Sequence, residues 1–188
     1  CQKALNDFLE EKRTKFSRFY FLGDDDLLEI LGQSKNPTVI QMHLKKLYAG
    51  IHSVELISDN SIIVAMKSAS EERVALEEQL FVEEEVENWL GKLTIGMQKT
   101  LQGLLRGCLK EKSLELVKYP AQVVCLAEAL RFAQNCSSAI TSGKLMCYKQ
   151  DLNQRLQDLT ALTRKASILN AFKLKSLILD VIHSIDIL

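Results

Sequence analysis

The apolar residues of this chain leave the helical period over one internal stretch and then return to it, and that excursion limits the possible folds more than any other feature. Over residues 1–50 and again from 83 to 188 they recur every three or four positions, as one face of a helix requires. Between Ile51 and Leu80 they drift toward alternation, the period of a half-buried strand. Val54 to Ile57 and Ile62 to Lys67 flank Ser58-Asp59-Asn60-Ser61, whose Asp-Asn centre tolerates the positive φ of a tight hairpin. Arg73 to Leu76 supplies a third strand. The expected fold is mainly α, an elongated set of helices with a small antiparallel β-meander at about residues 51–80. So small a ribbon is marginal in water and must rest on flanking helices.

The helices carry their own punctuation. Leu5, Phe8, Leu9 and Phe16 share a face of the first, and Asp24 to Leu31 forms a short one with Gly32 as its C′ residue. Asn36 caps the next, with Pro37 at its first position, and Gly50 ends that stretch after Val39, Ile40, Leu44, Leu47 and Tyr48. Glu83-Glu84-Glu85 opens the longest helix, with a stripe of Val86, Trp89, Leu90, Leu93, Met97, Leu101, Leu104, Leu105 and Cys108. Gly96, Gly103 and Gly107 line one edge of that stripe, either as tolerated surface glycines or as a groove for an approaching backbone. Pro120 opens a helix with Val123, Leu126, Ala127 and Leu130 on its face, and Gly143 interrupts the helical pattern beyond it. Tyr148, Leu152, Leu156, Leu159 and Leu162 then make a narrow seam suited to one partner helix. Ser167 or Asn170 starts the last helix, apolar at Leu174, Leu177, Ile178, Val181, Ile182 and Ile185. With no repeat or low-complexity linker, residues 1–188 read as one continuous unit.

Lys15-Phe16-Ser17-Arg18-Phe19-Tyr20-Phe21-Leu22-Gly23-Asp24-Asp25-Asp26 combines an extended aromatic run with an acidic helix start. Phe16, Phe19 and Phe21 are expected to be buried and to fix the joint between two helical layers, and Asp24 to Asp26 to cap the helix. A formal net charge of zero argues against the concentrated basic footprint of nucleic-acid binding or a polybasic membrane anchor. Five cysteines without C-x-x-C spacing read as reduced thiols, Cys108 and Cys125 packing as small hydrophobes. His43, His52 and His183 stand far apart in sequence, outside any metal-binding frame, so no metal site is expected, and His183 is expected to hold a structural hydrogen bond. Gly143-Lys144 lacks the glycine and hydroxyl residue of a phosphate-cradling loop. No catalytic constellation and no cofactor site is expected. The start at Cys1 and the end at Leu188 inside an apolar pattern lead us to expect an excerpt of a longer chain.

Several runs resemble the linker of dynein heavy chains. They are Cys1 to Arg13, the aromatic run, Asn36-Pro37-Thr38-Val39-Ile40-Gln41 through Tyr48, Val86-Glu87-Asn88-Trp89-Leu90, and Tyr119-Pro120-Ala121-Gln122-Val123, in the family's order and spacing. Phe16-Ser17-Arg18-Phe19 departs from the family's Phe-Pro-Arg-Phe. The closing run to Asp186 keeps only His183 and the final Asp of an Asp-Val-His-Ala-Arg-Asp pattern, a departure similar to the intraflagellar-transport branch of the family. The resemblance implies the carboxy-terminal half of a linker, a mechanical lever in a minus-end-directed microtubule motor of cytoplasm and cilium. It implies that ATP and Mg are held by an AAA+ ring outside this sequence, that the ring of the same heavy chain is the partner, and that accessory chains and microtubules bind elsewhere. Arg18, Asp25, Glu29, Asp59 and Asn60 are the candidates for ring contact, with Phe16, Phe19, Phe21 and Trp89 as structural residues. The rival expectations are a free-standing helical adaptor that binds partner helices and the linker of an axonemal dynein.

Overall fold

The computed structural model describes residues 2–34, 36–59, 61–82, 85–111 and 116–188. Among the described residues the order is α1 (Gln2–Lys15), a 3₁₀ turn (Ser17–Phe21), α2 (Asp24–Gly32), α3 (Pro37–Leu47), β1 (Ser53–Ile57), β2 (Ile62–Lys67), β3 (Arg73–Phe81), α4 (Val86–Lys110), α5 (Ala121–Thr141), α6 (Leu145–Thr163) and α7 (Ile168–Ile187). The chain forms two compact units, residues 1–100 and 101–188, with the division inside α4. The mainly α architecture with one antiparallel meander is the one that the periods require, and β3 runs five residues past Leu76.

In the first unit the strands lie in the order β1-β2-β3, and α3 packs on β1, α2 and the 3₁₀ turn. The hairpin between β1 and β2 takes its positive φ at Ser58 (51°) and Asp59 (55°), one position earlier than the Asp-Asn centre suggests. Asn60 lies outside the described residues. Register slips after Glu55 and between Ile63 and Ala65, so the sheet carries two irregularities that add local twist. Its buried residues include Val54, Ile63, Ala65 and Met66, alternate positions and their neighbours on the face toward the helices.

The aromatic run is not extended. Phe16 (φ −133°, ψ 96°) and Leu22 (φ −105°, ψ 140°) are extended, and between them the Phe19 amide donates to the Phe16 carbonyl at 2.9 Å and the Leu22 amide to that of Phe19 at 3.1 Å. A 3₁₀ turn has three residues per turn, so Phe16, Phe19 and Leu22 fall on one side and are buried. Phe21 falls on the other and is 67% exposed, as Tyr20 is also exposed, which corrects the expectation that Phe21 is core.

α2 has Gly23 at its N-cap, a residue with no side chain to cap it. Asp24 to Asp26 occupy its first turn, where carboxylates suit the positive end of the dipole, but none caps an amide. Gly32 is the last helical residue rather than C′. Asn36 accepts from the Thr38 amide at 3.2 Å with Pro37 first in α3, as its sequence requires. α4 begins at Val86, with the Glu85 carbonyl accepting from the Asn88 amide at 3.1 Å; Glu83 and Glu84 lie outside the described residues.

The second unit is built around Cys108, Tyr119, Val123, Val124, Ala127, Leu159, Leu174, Leu177 and Val181, flanked by half-buried Leu101, Leu104, Leu105 and Leu156. The α5 face is rotated from the expected one: Val124 is buried, while Leu126 and Leu130 are exposed. Gly143 (φ +68°) ends α5 in a Schellman motif, with Lys144 donating to the Ala139 carbonyl at 2.8 Å and Gly143 to that of Ile140 at 3.1 Å. Ser167 caps α7 by accepting from the Asn170 amide. Leu162 at the end of the α6 seam is exposed, and His183 is exposed on α7 and so anchors no core.

Candidate functional site

The polar contacts of the first unit converge on the joint around the 3₁₀ turn. Phe19, with no exposure, meets Phe16 edge-to-face, ring centroids 5.0 Å apart and planes at 76°. Between them in sequence, Arg18 turns the other way. Its guanidinium donates to the Leu47 carbonyl at 2.8 Å, satisfying a free acceptor at the end of α3, and stacks 4.7 Å above the Tyr48 ring. The Tyr48 hydroxyl lies 2.8 Å from Thr94 Oγ1 and donates to the Leu90 carbonyl at 3.2 Å, both on α4. Burial pushes the Tyr48 phenol up, against the smaller opposing pull of Thr94 and Arg18. Arg18, Tyr48 and Thr94 thus tie the turn, α3 and α4 in one line.

Ion pairs brace the same joint. Lys12 of α1 pairs with Glu87, whose side chain is buried in the first turn of α4. Burial drives the Glu87 carboxyl up, yet Lys12 and a backbone hydrogen bond outweigh it and leave the group below the usual carboxylate range. Arg13 of α1 meets Asp24 of α2 at 2.6 Å, and Lys46 of α3 meets Asp26 of α2 at 2.6 Å. The Lys46 hydrogen bond holds the Asp26 carboxyl low. The Thr100 hydroxyl accepts from the Glu77 amide at 3.0 Å, joining β3 to α4.

Five residues were candidates for an outward contact. Asp25 and Asp59 are exposed and carry no ion pair among the described residues. Glu29 is exposed but turned toward His43, with Oε2 3.1 Å from Nε2. Arg18 is half-buried, with its guanidinium engaged at the Leu47 carbonyl. Asn60 lies outside the described residues. Trp89 is buried in α4, as its place in the stripe requires.

The histidines are not all isolated. Asp26 and Glu29, one turn apart on α2, and His43 of α3 offer three ligand atoms within 4.8 Å of one another. Sequence spacing misses this group because its members come from two helices; the only signal is an acid pair at i, i+3 facing the next amphipathic helix. The glycines resolve into different cases. A Cβ at Gly107 would stand 3.0 Å from the Tyr119 hydroxyl, so that position is a close approach, whereas one at Gly96 would meet nothing within 4 Å. Gly103 is exposed.

In the second unit, Arg131 donates to the Cys108 carbonyl at 2.6 Å and the Glu111 carbonyl at 2.8 Å, closing the end of α4, while Glu128 accepts from both Arg131 and Arg155. Lys173, 4% exposed, donates to the carbonyls of Leu116 at 2.8 Å and Tyr119 at 2.9 Å. Buried Cys108 is a free thiol that burial pushes up, away from the thiolate. No helix among the described residues is long and apolar enough to cross a membrane.

The runs that resemble dynein heavy chains lie within this helical frame and its aromatic joint. Residues 1–108 match the family described as dynein heavy chain, N-terminal region 2, and the chain belongs to that family. Within it the chain is similar along its whole length to cytoplasmic dynein 2 heavy chain 1, at 48% identity over 202 residues in Tripneustes gratilla, 46% over 188 in Caenorhabditis elegans and 44% over 199 in Homo sapiens. Dynein axonemal heavy chain 1 of Mus musculus is more distant, at 33% over 193 residues and 99% of the chain. The chain spans only 4 to 5% of the length of these relatives.

Proposed function

We propose that this chain is the carboxy-terminal half of the linker of a cytoplasmic dynein 2 heavy chain, a mechanical segment of a motor that works in retrograde intraflagellar transport in the cilium. The observation that carries this reading is the similarity of the whole chain, at 44 to 48% identity, to cytoplasmic dynein 2 heavy chains, against 33% for an axonemal one. The braced joint supports it. A lever must pass on force without local bending, and the line from Arg18 through Tyr48 to Thr94 couples three elements by directional contacts. ATP and Mg belong to the AAA+ ring of the same heavy chain in this reading, and the segment itself hydrolyses nothing. Asp25, Asp59 and Glu29, each exposed, are the proposed ring contacts. Accessory chains and microtubules engage other regions.

The test is made in the whole heavy chain. Arg18→Ala removes the clamp on α3 without touching a nucleotide site, so microtubule gliding should slow several-fold while ATP turnover continues. Unchanged gliding would sink the lever reading. So would a gene that, read past Leu188, encodes no phosphate-binding loop within the next hundred or so residues.

A further inference from the structure

His43 presents an electrostatic problem that its surroundings do not solve. The residue is 6% exposed, and Nδ1 is fully buried without a hydrogen-bond partner among the described residues. A neutral imidazole carries one proton. Nε2 lies 3.1 Å from Glu29 Oε2, a distance at which it donates. Nδ1 is then a lone pair, and it faces Asp26 Oδ1, another acceptor, at 3.6 Å. The buried nitrogen and the part-exposed carboxylate so placed repel unless a positive charge stands between them. The gap is too long for a hydrogen bond, which closes at about 2.7–3.2 Å. It is close to the ~3.4 Å edge between neighbouring ligands on a tetrahedral metal with bonds of about 2.0–2.1 Å.

We propose that Asp26, Glu29 and His43 form a site for a divalent metal of the zinc class, clasping α2 to α3. His43 Nδ1 and Asp26 Oδ1 are the direct ligands, with water completing the shell. Glu29 accepts from Nε2–H, fixing the tautomer and making the other nitrogen the better donor, the usual carboxylate–histidine–metal relay. Imidazole and carboxylate together suit zinc or cobalt better than the all-oxygen shells of calcium and magnesium. Lys46 is the competitor. Its ammonium holds Asp26 Oδ2 at 2.6 Å and places a positive charge beside the entering ion.

That competition supplies a test. The chain, stripped of metal by a chelator, is titrated with zinc by calorimetry and with cobalt(II) by absorption, while Trp89 fluorescence follows the melting of the first unit. One equivalent should bind, raise the melting temperature, and give a cobalt spectrum free of thiolate charge transfer, which separates this site from the cysteines. Asp26→Asn should abolish binding, and Glu29→Gln, on an exposed side chain, should weaken it at least about tenfold. Lys46→Met should tighten it several-fold, a gain that damage to the fold could not produce. Absence of saturable binding, a thiolate spectrum, or affinity unmoved by both Glu29→Gln and Lys46→Met would overturn the proposal.

Discussion

Two phenylalanines two residues apart should respond to truncation in opposite ways. Phe19→Ala removes a ring with no exposure: about 1.5–3 kcal/mol of transfer free energy is lost, the edge-to-face contact with Phe16 forfeits about 0.5–1.5 kcal/mol more, and the cavity between α1 and α3 brings the total to about 3–5 kcal/mol. Phe21→Ala trims a side chain that is 67% exposed and should stay within about 0.5 kcal/mol. The fold itself supplies the assay. Trp89 is the single tryptophan, buried in α4 within residues 1–100, so its fluorescence reports the unfolding of the first unit separately from the second. With a urea m-value of about 1–3 kcal/mol per molar, the Phe19 variant should shift the midpoint down by at least about 1 M, and the Phe21 variant should barely move it. A Phe19 loss under about 1 kcal/mol, or a Phe21 loss above about 2 kcal/mol, would refute the 3₁₀ geometry that sorts the two rings.

The same contacts have other consequences. Glu87 titrates below its unfolded value, so its contribution is complete above about pH 4.3 and is lost as pH falls through the lowered folded value; Glu87→Gln should flatten the acid limb of the Trp89-monitored stability curve. Gly96→Ala, in open space, should stabilise the first unit by up to about 1 kcal/mol, whereas Gly107→Ala should gain nothing or lose about 1 kcal/mol against the Tyr119 hydroxyl; paired denaturant melts compare them. Arg131→Met strips two carbonyls of a charged donor and should cost about 1.5–3 kcal/mol. Faster labelling of the buried Cys108 thiol would register that loss, and an unchanged labelling rate would contradict it.

What the sequence made legible depended on whether the deciding interaction was local. The cap at Asn36, the start at Ser167 as one of the two offered, and the bounds of β2 were readable because the determining residues are neighbours in the chain, whereas the far end of β3 was not. The aromatic run misled because four aromatics suggest a strand, while the informative pattern was the spacing of three from Phe16 to Phe19 to Leu22. In α5 the expected Val123 and Ala127 are buried, but the packed core took the slimmer Val124 and left Leu126 and Leu130 outside. The group at His43 was invisible because its carboxylates lie 14 and 17 positions away, on a helix whose rotation no local signal sets. Arg18 looked like a surface cation for want of the knowledge that the end of α3 returns beneath it.

Lys173 also sets an order of events during synthesis. The carbonyls of Leu116 and Tyr119 are tied down by a side chain that lies 57 and 54 residues later in the sequence. At about 5–20 residues per second, a ribosome needs roughly 3–11 s to make that stretch. Until then the carbonyls of Leu116 and Tyr119 lack this donor, and α5 and α6 are made before it. A slow codon run anywhere before Val181 would therefore prolong the exposure of Val123, Val124 and Ala127 on the nascent chain, since Leu174, Leu177 and Val181 complete the core around them.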